Sequence, residues 1–263
     1  MNKTSLIAVI AAVFSALAAL LSVGLVPQFW GTQYKIVILA GQSNAVGRAP
    51  ILPEWRIDSL GISQLGRFGD TNLTIIPAVE PLAHWDSSGA AFGLKAVSLL
   101  RGIEGGDMLI VPAAMGASGF VDNMWTAKTG PLYVDLVQRT RSVLNRYPGS
   151  TIRAVLWHQG ETEWEESADG YNALFPQQMT EMVAALREDL PIADTPFVMG
   201  GTVPAWSDRQ TPNANAVLER IAADIGACFV SSEELLPMAD GIHFELGSQI
   251  RLGQRYFDAM QNC

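Results

Sequence analysis

An α/β fold built on a central parallel sheet is what this chain predicts, and three features carry the expectation. Short runs at Tyr34–Ala40, Met108–Pro112, Ile152–Trp157, Phe197–Met199 and Ala227–Val230 are apolar throughout, as strands covered on both faces are. Helical patterns lie between them, near Ala90–Arg101, Leu132–Arg146, Tyr171–Leu190, Ala214–Ile225 and Ser248–Met260, and each is long enough for a crossover connection. Residues able to carry chemistry, Ser43, Gly116, Gln159 and His243, fall where such a fold collects its active groups, outside the carboxyl ends of the strands.

The chain has 263 residues, of which 49% are apolar. That is enough for one sizeable core, and nothing in the length requires two. Twenty-six acidic against seventeen basic residues leave a net charge of −9, a field that repels phosphate backbones and excludes nucleic acid as a natural partner.

No charged residue lies between Lys3 and Lys35, and Leu6 to Val26 is almost wholly apolar. At helical rise this stretch spans about 30 Å, the thickness of a bilayer core. Two readings compete. A cleaved signal peptide has a shorter apolar region, and Ala16-Leu17-Ala18 offers a small-residue site for it. An uncleaved anchor is preferred, because the apolar stretch runs well past Ala18, with Lys3 held inside. Residues 1–33 are therefore expected to be an anchor or signal segment plus a linker containing Pro27 and Gly31, and residues 34–263 an exported domain. It would be membrane-anchored, or secreted or periplasmic if the segment is cleaved. Export permits a disulfide between Cys228 and Cys263, closing a loop of about 35 residues. The alternative is a buried thiol at Cys228 and an unrelated tail thiol, and the sequence leaves both open.

Ser43 sits in Gly41-Gln42-Ser43-Asn44, directly after the first apolar run, and the last third of the chain carries Asp240-Gly241-Ile242-His243. A serine hydroxyl is a poor nucleophile unless an imidazole takes its proton, and the imidazole needs a carboxylate to fix its tautomer. A spacing of three can fold Asp240 back onto the Nδ1 of His243, and Gly241 between them argues for a tight loop. Taken singly each signal is weak, since a serine at a strand-to-helix turn is often only a helix cap. His158 follows a buried strand and reads as structural. Glu161 is the rival acid, although Glu161, Glu163, Glu165 and Glu166 also read as a solvated helix start. His84, Trp85, Trp125 and Trp164 stand in expected loops, where they either offer flat faces to a ligand or cover the core edge. Three histidines without paired spacing give no convincing ligand set, so no metal is expected.

Three blocks occur in order: Gly41-Gln42-Ser43-Asn44-Ala45-Val46-Gly47-Arg48, Trp157-His158-Gln159-Gly160-Glu161 and Asp240-Gly241-Ile242-His243-Phe244. Together they resemble the sialate O-acetylesterase and acetylxylan-esterase-like carbohydrate esterases of the SGNH hydrolase superfamily, over Tyr34 to about Asp258. The resemblance implies a flavodoxin-like three-layer α/β/α sandwich and hydrolysis of O-acetyl groups on a carbohydrate without a cofactor. It implies Ser43 as nucleophile, His243 as base and Asp240 as its partner, with Glu161 and Asn44 in support. The oxyanion hole would use the Ser43 amide, a glycine amide and the Gln159 side chain. Relatives carry Gly-Gly-Thr where this chain has Gly116-Ala117-Ser118, which leaves open whether Gly116 or its neighbour supplies the amide; Gly116 is the expected donor. Two other functions fit the same blocks: an envelope glycan O-acetyltransferase using the same three residues, and a catalytically silent carbohydrate-binding domain.

Overall fold

The computed structural model describes residues 31–53, 57–86 and 88–263. The expected anchor or signal segment lies outside them almost entirely. No helix among the described residues is long and apolar enough to cross a membrane. Gln33–Cys263 forms one compact unit.

Its centre is a seven-stranded sheet in the order β3-β2-β4-β1-β5-β6-β7. The strands are β1 (Lys35–Gly41), β2 (Ile62–Leu65), β3 (Ile75–Pro77), β4 (Met108–Pro112), β5 (Thr151–His158), β6 (Phe197–Gly200) and β7 (Cys228–Val230). All neighbours are parallel except β2 and β3, which run antiparallel. The five apolar runs read from the sequence are β1, β4, β5, β6 and β7. Ile36 to Ala40 and Met108 to Val111 are completely buried, which is why these strands show no polar alternation. The sequence reading missed β2 and β3. In β2 a buried Gln64 interrupts the apolar run, and its amide accepts from the Ala83 N–H at 2.7 Å and donates to the Pro77 carbonyl at 3.3 Å. β3 is a three-residue edge strand whose pairing with β2 defines it.

Helices cover both faces. On one face α2 (Phe92–Glu104) packs against α8 (Leu246–Asn262). On the other, α3 (Pro131–Arg146), α5 (Phe175–Asp189) and α7 (Ala214–Asp224) lie side by side. Short helices α1 (Ser43–Val46), α4 (Thr162–Glu165) and α6 (Pro204–Ser207) open the loops after β1, β5 and β6. Gly253 lets α2 and α8 approach, since a Cβ there would stand 2.7 Å from the Phe92 carbonyl oxygen, and Phe92 stacks on Tyr256 at 4.1 Å. At the far end of α8, Cys263 is joined to Cys228 of β7 in a disulfide with a Cα separation of 5.9 Å. Of the two open readings of the cysteines, the structure has the paired one.

After β1 the chain turns toward β2 and β4, whereas after β5 it continues to β6 on the opposite side. The strand order therefore reverses between β1 and β5, and a crevice opens beyond their carboxyl ends. Gly41 and His158 are partners in register at that point.

Candidate active site

The crevice is built from the two turns that leave β1 and β5. Gly41 ends β1 with φ +125°, and a Cβ there would lie 2.0 Å from the His158 carbonyl oxygen, so no other residue fits. Gln42 then ties the two turns together. Its N–H donates to the His158 carbonyl at 2.8 Å, and its Oε1 accepts from the Gly160 N–H (3.3 Å), the Thr162 N–H (3.3 Å) and the Thr162 hydroxyl (3.0 Å). Ser43 follows as the first residue of α1, 7% exposed.

Two hundred residues later the loop before α8 returns to this point. The Ser43 Oγ lies 2.9 Å from His243 Nε2, and His243 Nδ1 lies 2.8 Å from Asp240 Oδ2. The other Asp240 oxygen accepts the N–H groups of Ile242 and His243, both at 3.0 Å. Partial burial pushes the Asp240 carboxyl up, but the His243 N–H, the His243 ring and the Ile242 N–H together outweigh it and hold the group below the usual carboxylate range. Gly241 makes the turn possible with φ +75°. Asp240, His243 and Ser43 thus form one line of hydrogen bonds.

Asn44 clamps this loop from beneath. Completely buried, it donates through Nδ2 to Glu161 Oε1 at 2.8 Å and to the Ile242 carbonyl at 3.1 Å, and its Oδ1 accepts the Phe244 N–H at 3.1 Å. The backbone on both sides of His243 is therefore held by one side chain. Glu161 is also completely buried, with Oε2 unpartnered among the described residues. Burial raises its pKa to about 7, against the opposing hydrogen bonds from its own N–H and from Asn44.

The reading of Glu161 to Glu166 as a solvated helix start needs correction. Glu161 and Glu163 are completely buried, and only Glu165 and Glu166 face solvent. Glu163 is held by the Phe120 N–H at 2.7 Å, the Asn172 amide at 2.6 Å and the Gln159 amide at 2.8 Å, and burial still raises its pKa. No local pattern distinguishes these two carboxylates from their exposed neighbours, because a turn so short shows no periodicity. His158 is buried beside the site. Tyr256 donates to the Trp157 carbonyl at 2.7 Å, so His158 Nδ1–H donates to the Tyr256 oxygen at 3.0 Å, and burial lowers the imidazole pKa to about 3.

The expected oxyanion donors are placed unevenly. The Ser43 N–H has no acceptor among the described residues. Gln159 spends one amide N–H on Glu163, while the other makes only a 3.5 Å contact with the Ser118 carbonyl. The Gly116 N–H donates to Asp86 Oδ1 at 2.9 Å, and Asp86 is in turn paired with Arg48. The N–H of Ala117 has no acceptor among the described residues, and Ala117 holds φ +51°, a left-handed conformation that suits glycine. Asp86 went unnoticed in the sequence, since a lone Asp in a loop carries no signal.

Of the loop aromatics, Trp125 and Trp164 are buried; Trp125 packs on Trp157 at 4.8 Å, and Trp164 packs on Tyr171 at 4.7 Å. His84 is also buried and accepts the Ala114 N–H at 3.0 Å. Only Trp85 is substantially exposed, with the Arg67 guanidinium 4.6 Å from its ring. No group of three or more metal-ligating side chains gathers among the described residues.

A three-layer α/β sandwich with a serine, an imidazole and a carboxylate in line at the crevice of its sheet is an arrangement of the hydrolase class. Comparison with known proteins narrows it. Residues 33–262 match the family model of the carbohydrate esterases described as sialic acid-specific acetylesterases, and the chain belongs to that family. It is a carboxylic ester hydrolase, a carbohydrate acetylesterase. A protein of Escherichia coli strain K12 named "probable 9-O-acetyl-N-acetylneuraminic acid deacetylase" is 29% identical over 228 residues, covering 66% of this chain and 69% of its own. Among solved structures, a protein of Arabidopsis thaliana superposes with a TM-score of 0.72 at 23% identity, covering 88% of this chain and 98% of its own. NanS superposes with a TM-score of 0.70 at 23% identity, covering 88% and 97%.

Proposed function

We propose that this chain removes O-acetyl groups from sialic acid or a closely similar sugar, with Ser43 as nucleophile, His243 as general base and Asp240 as its orienting partner. The observation that carries the reading is the unbroken line from Asp240 through His243 to Ser43, at 2.8 and 2.9 Å. The sugar is suggested by the family and by the name of the Escherichia coli relative.

In this mechanism the Ser43 oxygen attacks the acetyl carbonyl while His243 Nε2 takes the hydroxyl proton. Asp240 fixes the tautomer that leaves Nε2 free to accept and stabilises the imidazolium that forms. Charge develops on the carbonyl oxygen, and the Ser43 N–H, the second Gln159 amide hydrogen and a donor of the Gly116–Ala117 turn would meet it. Each such donor is worth about 2.7 to 4 kcal/mol in the transition state. For Gly116 to serve, its N–H must exchange Asp86 for the oxyanion; the Ala117 N–H needs no exchange. Collapse expels the sugar alkoxide, which takes the proton from His243. Water, activated by the same imidazole, then releases acetate and restores Ser43. No cofactor enters these steps.

Asn44 and Glu161 act in this reading by positioning, since they hold the loop that carries His243. The disulfide fits an oxidising compartment, consistent with an exported domain and with residues 1–33 as anchor or cleaved signal.

The test is acetate release by the purified domain from O-acetylated sialic acid and from acetylated xylan, for wild type and Ser43→Ala. Release that depends on Ser43 is expected. Equal activity of the variant, or none from any acetylated sugar in wild type, would overturn the assignment, and acetyl capture by added glycan would turn it into transfer.

A further inference from the structure

We infer that Arg209 is the residue that reads a carboxylate on the substrate, making the site selective for acidic over neutral O-acetyl sugars. The inference rests on the hydrolase reading above and adds a specificity residue to it.

Arg209 stands on the turn after α6, beside the loop that carries Asp240 and His243. A Cβ built on Gly241 would lie 3.9 Å from Arg209 Nη2, so the guanidinium stands over the glycine of that loop. Its side chain is exposed and donates to no protein acceptor among the described residues. Arg48, a cation beside Gly116, differs in this respect: Asp86, the Asp86 carbonyl (3.0 Å) and the Ser88 hydroxyl (2.8 Å) occupy it. On a chain with a net charge of −9, an exposed arginine beside the loop of Asp240 and His243, paired with no carboxylate among the described residues, is available to a ligand.

The turn that presents Arg209 is firmly fixed. Trp206 is buried, and its indole N–H donates to Glu165 Oε1 at 3.3 Å. Trp164 donates to the Pro212 carbonyl at 3.1 Å, and Asn213 bonds the Ser207 carbonyl at 3.3 Å and Asp208 at 3.1 Å. The Arg209 N–H itself closes on the Trp206 carbonyl at 3.2 Å. A rigid turn reduces the entropy lost when a guanidinium engages a ligand, and its planar fork matches a carboxylate with two parallel hydrogen bonds. Asp208, Asp240 and Glu165 are the carboxylates around this rim, and they repel an incoming anion. Selectivity for an acidic sugar therefore depends on Arg209.

The experiment compares an O-acetylated sialic acid with the methyl ester of the same sugar, which keeps the acetyl group and loses the charge. Wild type is expected to favour the acid in kcat/KM by about 10- to 100-fold, the range for a hydrogen bond to a charged group. Arg209→Ala should bring the ratio close to one, and Arg209→Lys should restore part of it. Equal turnover of acid and methyl ester by wild type, or an unchanged preference in Arg209→Ala, overturns the inference and leaves the hydrolase reading intact. Calorimetric binding of the two deacetylated sugars to Ser43→Ala separates the other failure. Tighter binding of the acid that is lost on adding Arg209→Ala, alongside a wild type that cleaves neither ester, supports the carboxylate site and refutes the hydrolase reading.

Discussion

Replacing Asn44 by alanine should loosen the site and the fold together. The side chain is completely buried and makes three hydrogen bonds, to Glu161 at 2.8 Å, to the Ile242 carbonyl at 3.1 Å and from the Phe244 N–H at 3.1 Å. At about 1 kcal/mol for each buried bond, the loss is about 3 kcal/mol. For a domain of this size that corresponds to a fall in Tm of about 6 to 12 °C. Activity should fall further than stability explains, because both backbone groups flanking His243 lose their anchor, and a misplacement of about 1 Å costs on the order of 100-fold. Two measurements check this: thermal unfolding, and kcat/KM for an acetyl ester at 15 °C, well below either transition. A Tm within 2 °C of wild type combined with kcat/KM within about twofold would refute the positioning role. A large Tm loss with full activity at 15 °C would show that Asn44 only stabilises.

The buried Glu161 predicts a pH dependence of stability. Its folded pKa, about 7, lies above the ordinary carboxylate value of 4.5. Between these two values the folded state holds a proton that the unfolded state has released, so stability falls as pH rises across that window and levels off above it. Glu161→Gln, which mimics the protonated form, should flatten the urea-midpoint profile between pH 5 and 8; an unchanged profile would show that Glu161 does not titrate there. Ala117→Gly should raise stability by about 1 kcal/mol, since it relieves an alanine at φ +51°, and a lowered Tm would contradict this. Removing the disulfide with Cys228→Ser and Cys263→Ser together should cost about 4 kcal/mol from the loop-closure entropy of its 35-residue separation, read by denaturant unfolding under non-reducing conditions.

Much of the sheet was legible because its central strands are buried on both faces. An apolar run such as Ile36–Val37–Ile38–Leu39 carries its own signature wherever it is placed. The helices were legible for a related reason, and their observed ends, such as Pro131–Arg146 and Leu246–Asn262, differ from the expected ones by a few residues. β2 and β3 were not, because a buried glutamine and an edge position remove the apolar signal while long-range pairing supplies the structure. The same limit applies to the site. The residues now in line were visible as short blocks, but the burial of Glu161 and Glu163, the Asp86 contact to Gly116 and the approach of Arg209 to Gly241 were not.

By itself the sequence determined the strand and helix segments, the glycines that turn the chain, and the acidic balance. These are local properties, set by side-chain chemistry over a few residues. Only the tertiary structure decided that β1 and β5 lie side by side and that a loop two hundred residues away reaches Ser43. It also decided which carboxylates lose water and that Cys228 meets Cys263. Those outcomes depend on the order in which strands pack, and no window of the chain contains that order.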